Sequence, residues 1–236
     1  MKILHVADFH FRLDWFTWLA SQAANYDAIA LAGDLLNQFD KTPAQVERWS
    51  AQLAAFPCSP KRPLLVCSGN HDVLPDLRTG TQTRSGAWLR ELSRPGLITD
   101  EQIWTGPLAI GVVPWCGRAA VPWTWPQSAE IVVVHAPPSG TVLAVSPNSL
   151  RDDGDPEVSD AIWENKPRLV LSGHVHAPKQ WHQYIGDSLC LNPGCDLTAK
   201  IPQHIIIDTQ TGRAEWHCPD ENRTESAYFK PINHKD

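Results

Sequence analysis

Five short apolar runs recur along the chain, and each gives way to the same few polar residue types. Ile3 to Ala7 leads into Asp8-Phe9-His10, Ala28 to Ala32 into Gly33-Asp34, and Leu64 to Cys67 through Ser68 into Gly69-Asn70-His71-Asp72. Ile131 to Val134 leads into His135, and Leu169 to Leu171 through Ser172 into Gly173-His174-Val175-His176. Short runs that are apolar at every position but His5 are the pattern of strands covered on both faces. Segments with helical spacing lie between the first three, at about 14–24 and 43–55, and a loop and a helix at about 83–92 follow the third. This βαβαβ rhythm predicts right-handed crossovers and a largely parallel sheet.

Beyond it the pattern predicts short strands near 101–105 and 108–113, then a loop punctuated by proline and glycine from Val113 to Pro126, then the strand ending at His135. Ser139 to Pro156, rich in Pro, Gly and Asp, carries little signal, and a helix is expected from Pro156 to Asn165. After a strand at 168–172, four segments at 181–185, 188–191, 203–208 and 213–217 read as antiparallel. Thr209-Gln210-Thr211-Gly212 reads as the turn of the last hairpin. The expected fold class is α/β, a two-sheet β-sandwich flanked by helices and built as one domain over residues 1–218. Residues 219–236 lack periodicity and read as a polar tail that hugs the surface or frays.

In an α/β sheet, strand ends gather side chains from distant parts of the chain into one crevice. Here the residues so gathered are Asp, His and Asn, with no lysine or cysteine among them. They are hard and borderline ligands, the composition of a site for two divalent metals. Any one of these histidines alone would more often be a satisfied structural residue, and Asp34 alone a turn residue; the ordered series reverses that weighting. In Gly-His-Val-His, strand alternation would send His174 and His176 into the site and Val175 into the core. Gly33, Gly69 and Gly173 read as space for backbone beside the ligands. His5, His182, His204, His217 and His234 fall outside the series and read as structural, and Cys195 as packing.

The five motifs, in this order, resemble the calcineurin-like metallophosphoesterase superfamily from Asp8 to about Gly194, and Asn192-Pro193-Gly194 also matches a turn found there. The resemblance implies a first metal on Asp8, His10, Asp34 and His176, and a second on Asp34, Asn70, His135 and His174, with Asp34 as the bridge. Asn70 would supply a neutral oxygen, limiting negative charge near a phosphate. Two metals ~3.5–4 Å apart can activate a bridging water for in-line displacement, so the implied nucleophile is that hydroxide. His71 is implied to reach the substrate, donating either a hydrogen bond to the phosphoryl oxygens or a proton to the leaving alkoxide. Many relatives hold this histidine with an aspartate three residues after the bridging one; the position here is Asn37, whose amide oxygen could still accept the ring N–H. Mn²⁺ is the expected activator, with Fe or Zn as alternatives. The expected substrate is a phosphate ester, and His135-Ala136-Pro137-Pro138 resembles small bacterial members acting on phosphodiesters. A small phosphodiester or a nucleotide is favoured; a phosphomonoesterase, a repair-type DNA nuclease and a non-catalytic scaffold stay open as alternatives.

Composition changes this picture in three places. A formal charge of -6 and a pI near 5.9 give no footprint for nonspecific nucleic-acid binding, and Arg78, Arg84 and Arg90 read as a solvated face. No run reaches the ~18 apolar residues that a membrane span needs. The start enters a strand without a cleavable leader pattern, and the six cysteines show no paired spacing, so reduced thiols in a cytoplasmic protein are expected. Eleven tryptophans are many. Trp15 and Trp18 share a helix face, Trp163 lies in another helix, and Trp115, Trp123 and Trp125 sit in the Pro/Gly loop. That loop is either a substrate wall, with Trp123 and Trp125 contacting substrate, or plain packing. Oligomeric state is open.

Overall fold

Alternation inside the apolar runs assigns each side chain to one of two cores. The computed structural model describes residues 1–74, 86–115 and 125–232. In β1 (Lys2–Val6), β2 (Ala28–Ala32) and β3 (Leu64–Cys67), the residues Ile3, Ala28, Ala30, Ala32, Leu65 and Cys67 face a second sheet. Leu4, Val6, Ile29, Leu31, Leu64 and Val66 face helices on the other side. Both faces are covered, which is why these runs show no polar member beyond His5.

The three strands pair in parallel, Ile3 opposite Ala28 and Ile29 opposite Leu64. They continue into β4 (Leu97–Ile98), a two-residue parallel strand too short to leave a periodic signal. The second sheet holds β5 (Ile103–Thr105), β6 (Ala109–Val112), β7 (Ile131–Val133), β8 (Leu169–Leu171), β9 (His182–Ile185) and β10 (Ser188–Leu191), in the order β5-β6-β7-β8-β10-β9. The first sheet is completed by β11 (His204–Asp208), β12 (Arg213–Cys218) and β13 (Arg223–Tyr228), in the order β13-β12-β11-β1-β2-β3-β4. Two packed sheets with helices outside them match the expected α/β sandwich.

Helix α1 (Leu13–Gln22) buries Trp15, Phe16 and Leu19, and α2 (Pro43–Ala55) buries Trp49 and Leu53. Thr42 caps α2 by accepting the Gln45 N–H, with Pro43 in the first turn, where its missing N–H costs nothing. Phe16 meets Trp49 edge to face at 4.9 Å, and truncating either ring would cost ~3–5 kcal/mol. Helix α3 (Ala87–Arg90) is a single turn. Helix α4 (Pro156–Asn165) covers the second sheet with Val158, Ala161 and Ile162, capped by Asp155 on the Glu157 N–H.

The structure corrects the expected layout at several points. β10 is antiparallel to β9 but parallel to β8, Leu189 opposite Leu169, so the late strands are not uniformly antiparallel. The stretch read as a polar tail contains β13, paired to β12 along its whole length from Arg213–Tyr228 to Cys218–Arg223. It escaped the pattern because it is an edge strand in which only Ala227 is buried. Arg90 is not on a solvated face; it reaches the buried Asp100 at 3.2 Å. Arg78, Arg84 and part of the helix expected at 83–92 lie outside the described residues, and so does Trp123. Among the described residues no helix is long and apolar enough to cross a membrane.

Candidate metal centre

β1, β2, β3, β7 and β8 end at one edge of the sandwich, and the turns that follow them carry every ligand candidate. Four of these candidates have left-handed backbone: Asp8 (φ 58), His10 (φ 41), Asp34 (φ 55) and His174 (φ 69). That conformation costs a non-glycine residue roughly 1–2 kcal/mol, and here it is held by hydrogen bonds between the turns. Asp8 N–H donates to the Gly33 carbonyl at 3.1 Å, and His10 N–H to the Asp34 carbonyl at 2.8 Å. The Asp8 carboxylate accepts the His174 N–H at 3.0 Å, and Asp34 Oδ1 accepts the His71 N–H at 2.8 Å. The turns approach so closely that side chains are excluded at two places. A Cβ on Gly33 would lie 2.4 Å from His135 Nδ1, and one on Gly69 would lie 2.1 Å from Asp34 Oδ1.

The side chains form two groups, Asp8 with His10 and His176, and Asp34 with His135 and His174. In each, one ligand atom per residue lies within 4.8 Å of the others. Asp34 Oδ2 joins them, 3.3 Å from His135 Nε2 and 3.7 Å from His10 Nε2. Asn70 belongs to the second group through Oδ1, 2.9 Å from His135 Nε2. His71 stands at the rim with Nε2 4.0 Å from Asp34 Oδ2.

These contacts fit a site for cations. His135 Nδ1 lies 2.8 Å from the Ala32 carbonyl, which can only accept, so Nδ1 carries a proton and Nε2 is the ring atom turned to the centre. Nε2 faces two acceptor oxygens, those of Asn70 and Asp34. Burial opposes charge on this ring, but the Asp34 carboxylate outweighs it and raises the His135 pKa to about 9, so without a cation Nε2 holds a proton and donates it to these oxygens. His10 Nε2 and His176 Nε2 lie 2.9 Å apart, a separation that needs a proton or a metal. Burial opposes charge on the imidazoles, lowering the pKa of His10 to about 4 and that of His174 to about 3. Burial also penalises the Asp34 carboxylate, but His135 and the neighbouring rings outweigh it and hold Asp34 well below the ordinary range. With a cation in place of the His135 Nε2 proton, the donor set is imidazole nitrogens, an amide oxygen and carboxylates converging at two points, which fits two divalent ions with N/O ligands.

Other expectations are revised. Gly-His-Val-His is not a strand, since β8 ends at Leu171 and His174 has positive φ. Val175 is buried as expected, but by a turn rather than by alternation. Asn37 does not hold His71. Its Oδ1 accepts the Phe39 N–H at 3.2 Å and its own N–H donates to Gln45 Oε1 at 3.2 Å, so the amide stabilises its own turn. Among the described residues the buried His71 Nδ1 meets no hydrogen-bond partner. Trp125 is buried among Val113, Val132 and Val134, so it packs the loop and does not line the crevice. Trp115 is the wall residue, its ring 5.5 Å from that of His135 and 5.3 Å from that of His174.

Two residues do more than the motifs indicated. Asp72, fully buried, accepts N–H groups from Leu35 at 2.8 Å, Leu36 at 3.0 Å and Gly69 at 2.8 Å, fastening the Asp34 turn to the Asn70 turn. Its signal was its place as the last letter of Gly-Asn-His-Asp. Asn192 donates to the carbonyls of Gly173 at 2.9 Å and Val175 at 3.1 Å, setting the turn that carries His174 and His176. Two cavities open on either side of the centre. One of about 540 Å³ is reached past Asn70, Trp115 and His174. The other, of about 830 Å³, begins at His176 and runs past Lys179, Cys195 and Gln203.

Comparison with known proteins agrees with this geometry. The sequence model of the family described as calcineurin-like phosphoesterase matches residues 1–178. No curated protein matches the chain. Among solved structures, TT1561 of Thermus thermophilus is similar, with 19% identity and a TM-score of 0.55 over 96% of this chain and 98% of that one. A structure titled as a novel archaeal phosphodiesterase has 14% identity and a TM-score of 0.48, covering 97% of this chain and 100% of that one. YfcE, described as a phosphoesterase from E. coli, has 15% identity and a TM-score of 0.47, covering 98% and 100%. Identities this low speak to the fold alone.

Proposed function

The chain belongs to the calcineurin-like phosphoesterase family and is a metal-dependent phosphoric ester hydrolase, and from that premise we propose that it cleaves a phosphodiester, with nucleotide esters the favoured class. The observation that carries the diester reading is the pair of cavities, one opening at His176 and the other at Asn70 and His174. A monoester has one organic arm to house, whereas a diester has two.

In this reading Asp8, His10, Asp34 and His176 hold one divalent ion, and Asp34, Asn70, His135 and His174 the other. Mn²⁺ is the expected activator, and Fe or Zn are alternatives. When bound, the pair supplies Lewis acidity and an activated water for in-line displacement at phosphorus. Asp34, whose Oδ2 lies near both His135 Nε2 and His10 Nε2, would serve both ions, and the hydrogen bond from His135 Nδ1 to the Ala32 carbonyl would leave Nε2 as the ligating atom. Asn70 contributes an oxygen without charge. His71, partly exposed at the rim, would as imidazolium donate its Nε2 proton to the departing oxygen; burial lowers its pKa, which makes the charged ring a stronger acid but a smaller fraction of the population at neutral pH. Trp115 offers its ring as a wall for one ester arm. A cytoplasmic setting, argued from cysteine usage, belongs to the same proposal.

The deciding experiment reconstitutes the protein with Mn²⁺ and compares bis(p-nitrophenyl) phosphate, p-nitrophenyl phosphate, cyclic nucleotides and single-stranded DNA. A kcat/KM higher for the diester than for its monoester is expected. The reverse order would replace the diester reading with a monoesterase.

A further inference from the structure

The end of the sandwich away from the metal centre gathers a different chemistry. Arg168 precedes β8, Gly186 and Asp187 form the turn before β10, Lys166 caps the C-terminus of α4, and Tyr228 ends β13. The strand directions place all of them where β8 and β10 begin, opposite His174. Lys166, Arg168, Tyr184, Asp187, Tyr228 and Lys230 line a cavity there of about 510 Å³. The Arg168 guanidinium donates to the Lys230 carbonyl at 2.7 Å, and the Tyr184 hydroxyl donates to the Tyr228 carbonyl. The edge strands of the two sheets, β9 and β13, are thereby tied across the cavity.

Two features mark this surface, a cluster of cations in one lining and a group of exposed rings. Among the described residues Lys166, Arg168 and Lys230 make no ion pair, and Asp187 is the one carboxylate in the lining. The cavity is therefore locally cationic in a chain whose formal charge is -6. The second feature is aromatic. Of the six exposed large hydrophobic side chains among the described residues, three are here: Trp163 at 60%, Tyr184 at 46% and Tyr228 at 65%. Trp163 stands beside the turn, since a Cβ on Gly186 would lie 3.3 Å from its ring.

We propose that this far-end cavity is a docking site for single-stranded nucleic acid, separate from the metal centre. The unpaired cations take backbone phosphates, and the exposed rings stack bases. Phosphate charge complements the cations, and stacking uses rings that the core has no place for. The net charge of the chain argued against nucleic acid only as an average; it does not describe this surface. The site does not depend on the diester reading, because its residues neither touch nor support the metal ligands.

The test is anisotropy of a fluorescein-labelled ten-nucleotide oligo(dT) with a phosphorothioate backbone, titrated with Mn²⁺-loaded full-length protein at several salt concentrations. Three phosphate contacts predict a slope of log K against log salt of about -2. The double variant Lys166→Gln/Lys230→Gln should weaken binding by about ten-fold or more and flatten the slope. Tyr228→Ala should weaken it by roughly 5- to 100-fold through lost stacking. All three side chains are exposed and outside the catalytic machinery, so hydrolysis of bis(p-nitrophenyl) phosphate should stay at the wild-type rate. No binding by the wild type at low salt, or equal affinity in all variants, would overturn the proposal. Equal competition by polyglutamate would also overturn it, by showing an acidic-peptide surface.

Discussion

The two ends of the sandwich place charge in opposite ways. At the metal centre Asp8, Asp34, Asp72 and His135 are buried, the backbone is left-handed at four candidate ligands, and each turn is fastened to the next by hydrogen bonds. At the far end Lys166, Lys230 and three rings are exposed and Arg168 is half-buried, on the end of α4, on turns and on edge strands. A buried carboxylate costs several kcal/mol unless it is paired and hydrogen-bonded, so the catalytic end tolerates little change. The far end carries no such cost. Substitutions should therefore have large, coupled effects at one end and local effects at the other.

The strongest challenge to that contrast is Asp34→Ala. It removes the oxygen shared by the two ligand groups and the acceptor of the His71 N–H. Metal analysis after Mn²⁺ reconstitution should find fewer than two ions per chain, and turnover should fall to background. Full occupancy with more than about a tenth of wild-type activity would mean that Asp34 is not a shared ligand. His71→Ala should leave metal content intact and lower turnover by ~10²–10⁴-fold. The loss should shrink for nitrophenolate, which departs without a proton. An equal loss for good and poor leaving groups would make His71 a substrate-positioning residue.

Asp72→Ala probes the fastening rather than the chemistry. Three backbone N–H groups lose their acceptor, and even with water reaching some of them the cost should be about 3 kcal/mol. In a chain of this size that is a fall in Tm of roughly 6–12 °C, accompanied by weaker metal retention. Unchanged melting would show that Asp72 is dispensable to the two turns.

How legible each end was in the sequence follows from the same contrast. Candidate ligands such as Asp34 and Asn70 follow buried runs whose partners must converge, so apolar pattern and residue type together located them. Their local conformation was less visible. Alternation sent His174 and His176 to one side for the wrong reason, because a left-handed turn, not a strand, carries them. Asn37 looked available to His71 because a sequence does not show that its amide is taken by Phe39 N–H. Trp125 looked exposed because a Pro/Gly loop can still be buried. The far end left no trace. Arg168 and Lys230 are 62 positions apart, and β13, which delivers Tyr228, is too polar on both faces to show a period.

Trp115→Ala tests a smaller effect at the catalytic rim. Its ring stands against His135 and His174 without contributing a ligand atom. If it stacks a nucleobase, kcat/KM for nucleotide esters should fall by ~1–3 kcal/mol equivalent, with little change for a base-free ester. Equal loss for both substrates, together with lower stability, would mean that Trp115 only packs the histidine rings.

The smallest effect separates acid loss of activity from acid loss of fold. His204 opens β11 and belongs to neither ligand group; it is stacked on His217 at 5.0 Å and packed against Trp18 at 5.1 Å. Burial lowers its pKa from 6.5 to about 4, with the Pro202 carbonyl opposing that shift and His217 adding to it. Between those values the unfolded chain binds a proton that the folded chain refuses. The stabilisation is therefore complete above pH 6.5 and is lost as pH falls toward 4. At pH 5 the loss should be on the order of 1–2 kcal/mol, or a few °C in Tm. His204→Phe keeps a ring in the stack and removes the titration, so its Tm should fall less than that of the wild type between pH 7 and pH 5. Its activity should fall just as steeply over that range, because the imidazoles of the metal centre are untouched. If the variant's Tm follows the wild-type curve, His204 is not an acid-sensitive element of the fold. If its activity becomes acid-resistant, the loss in the wild type arises from unfolding and not from the metal ligands.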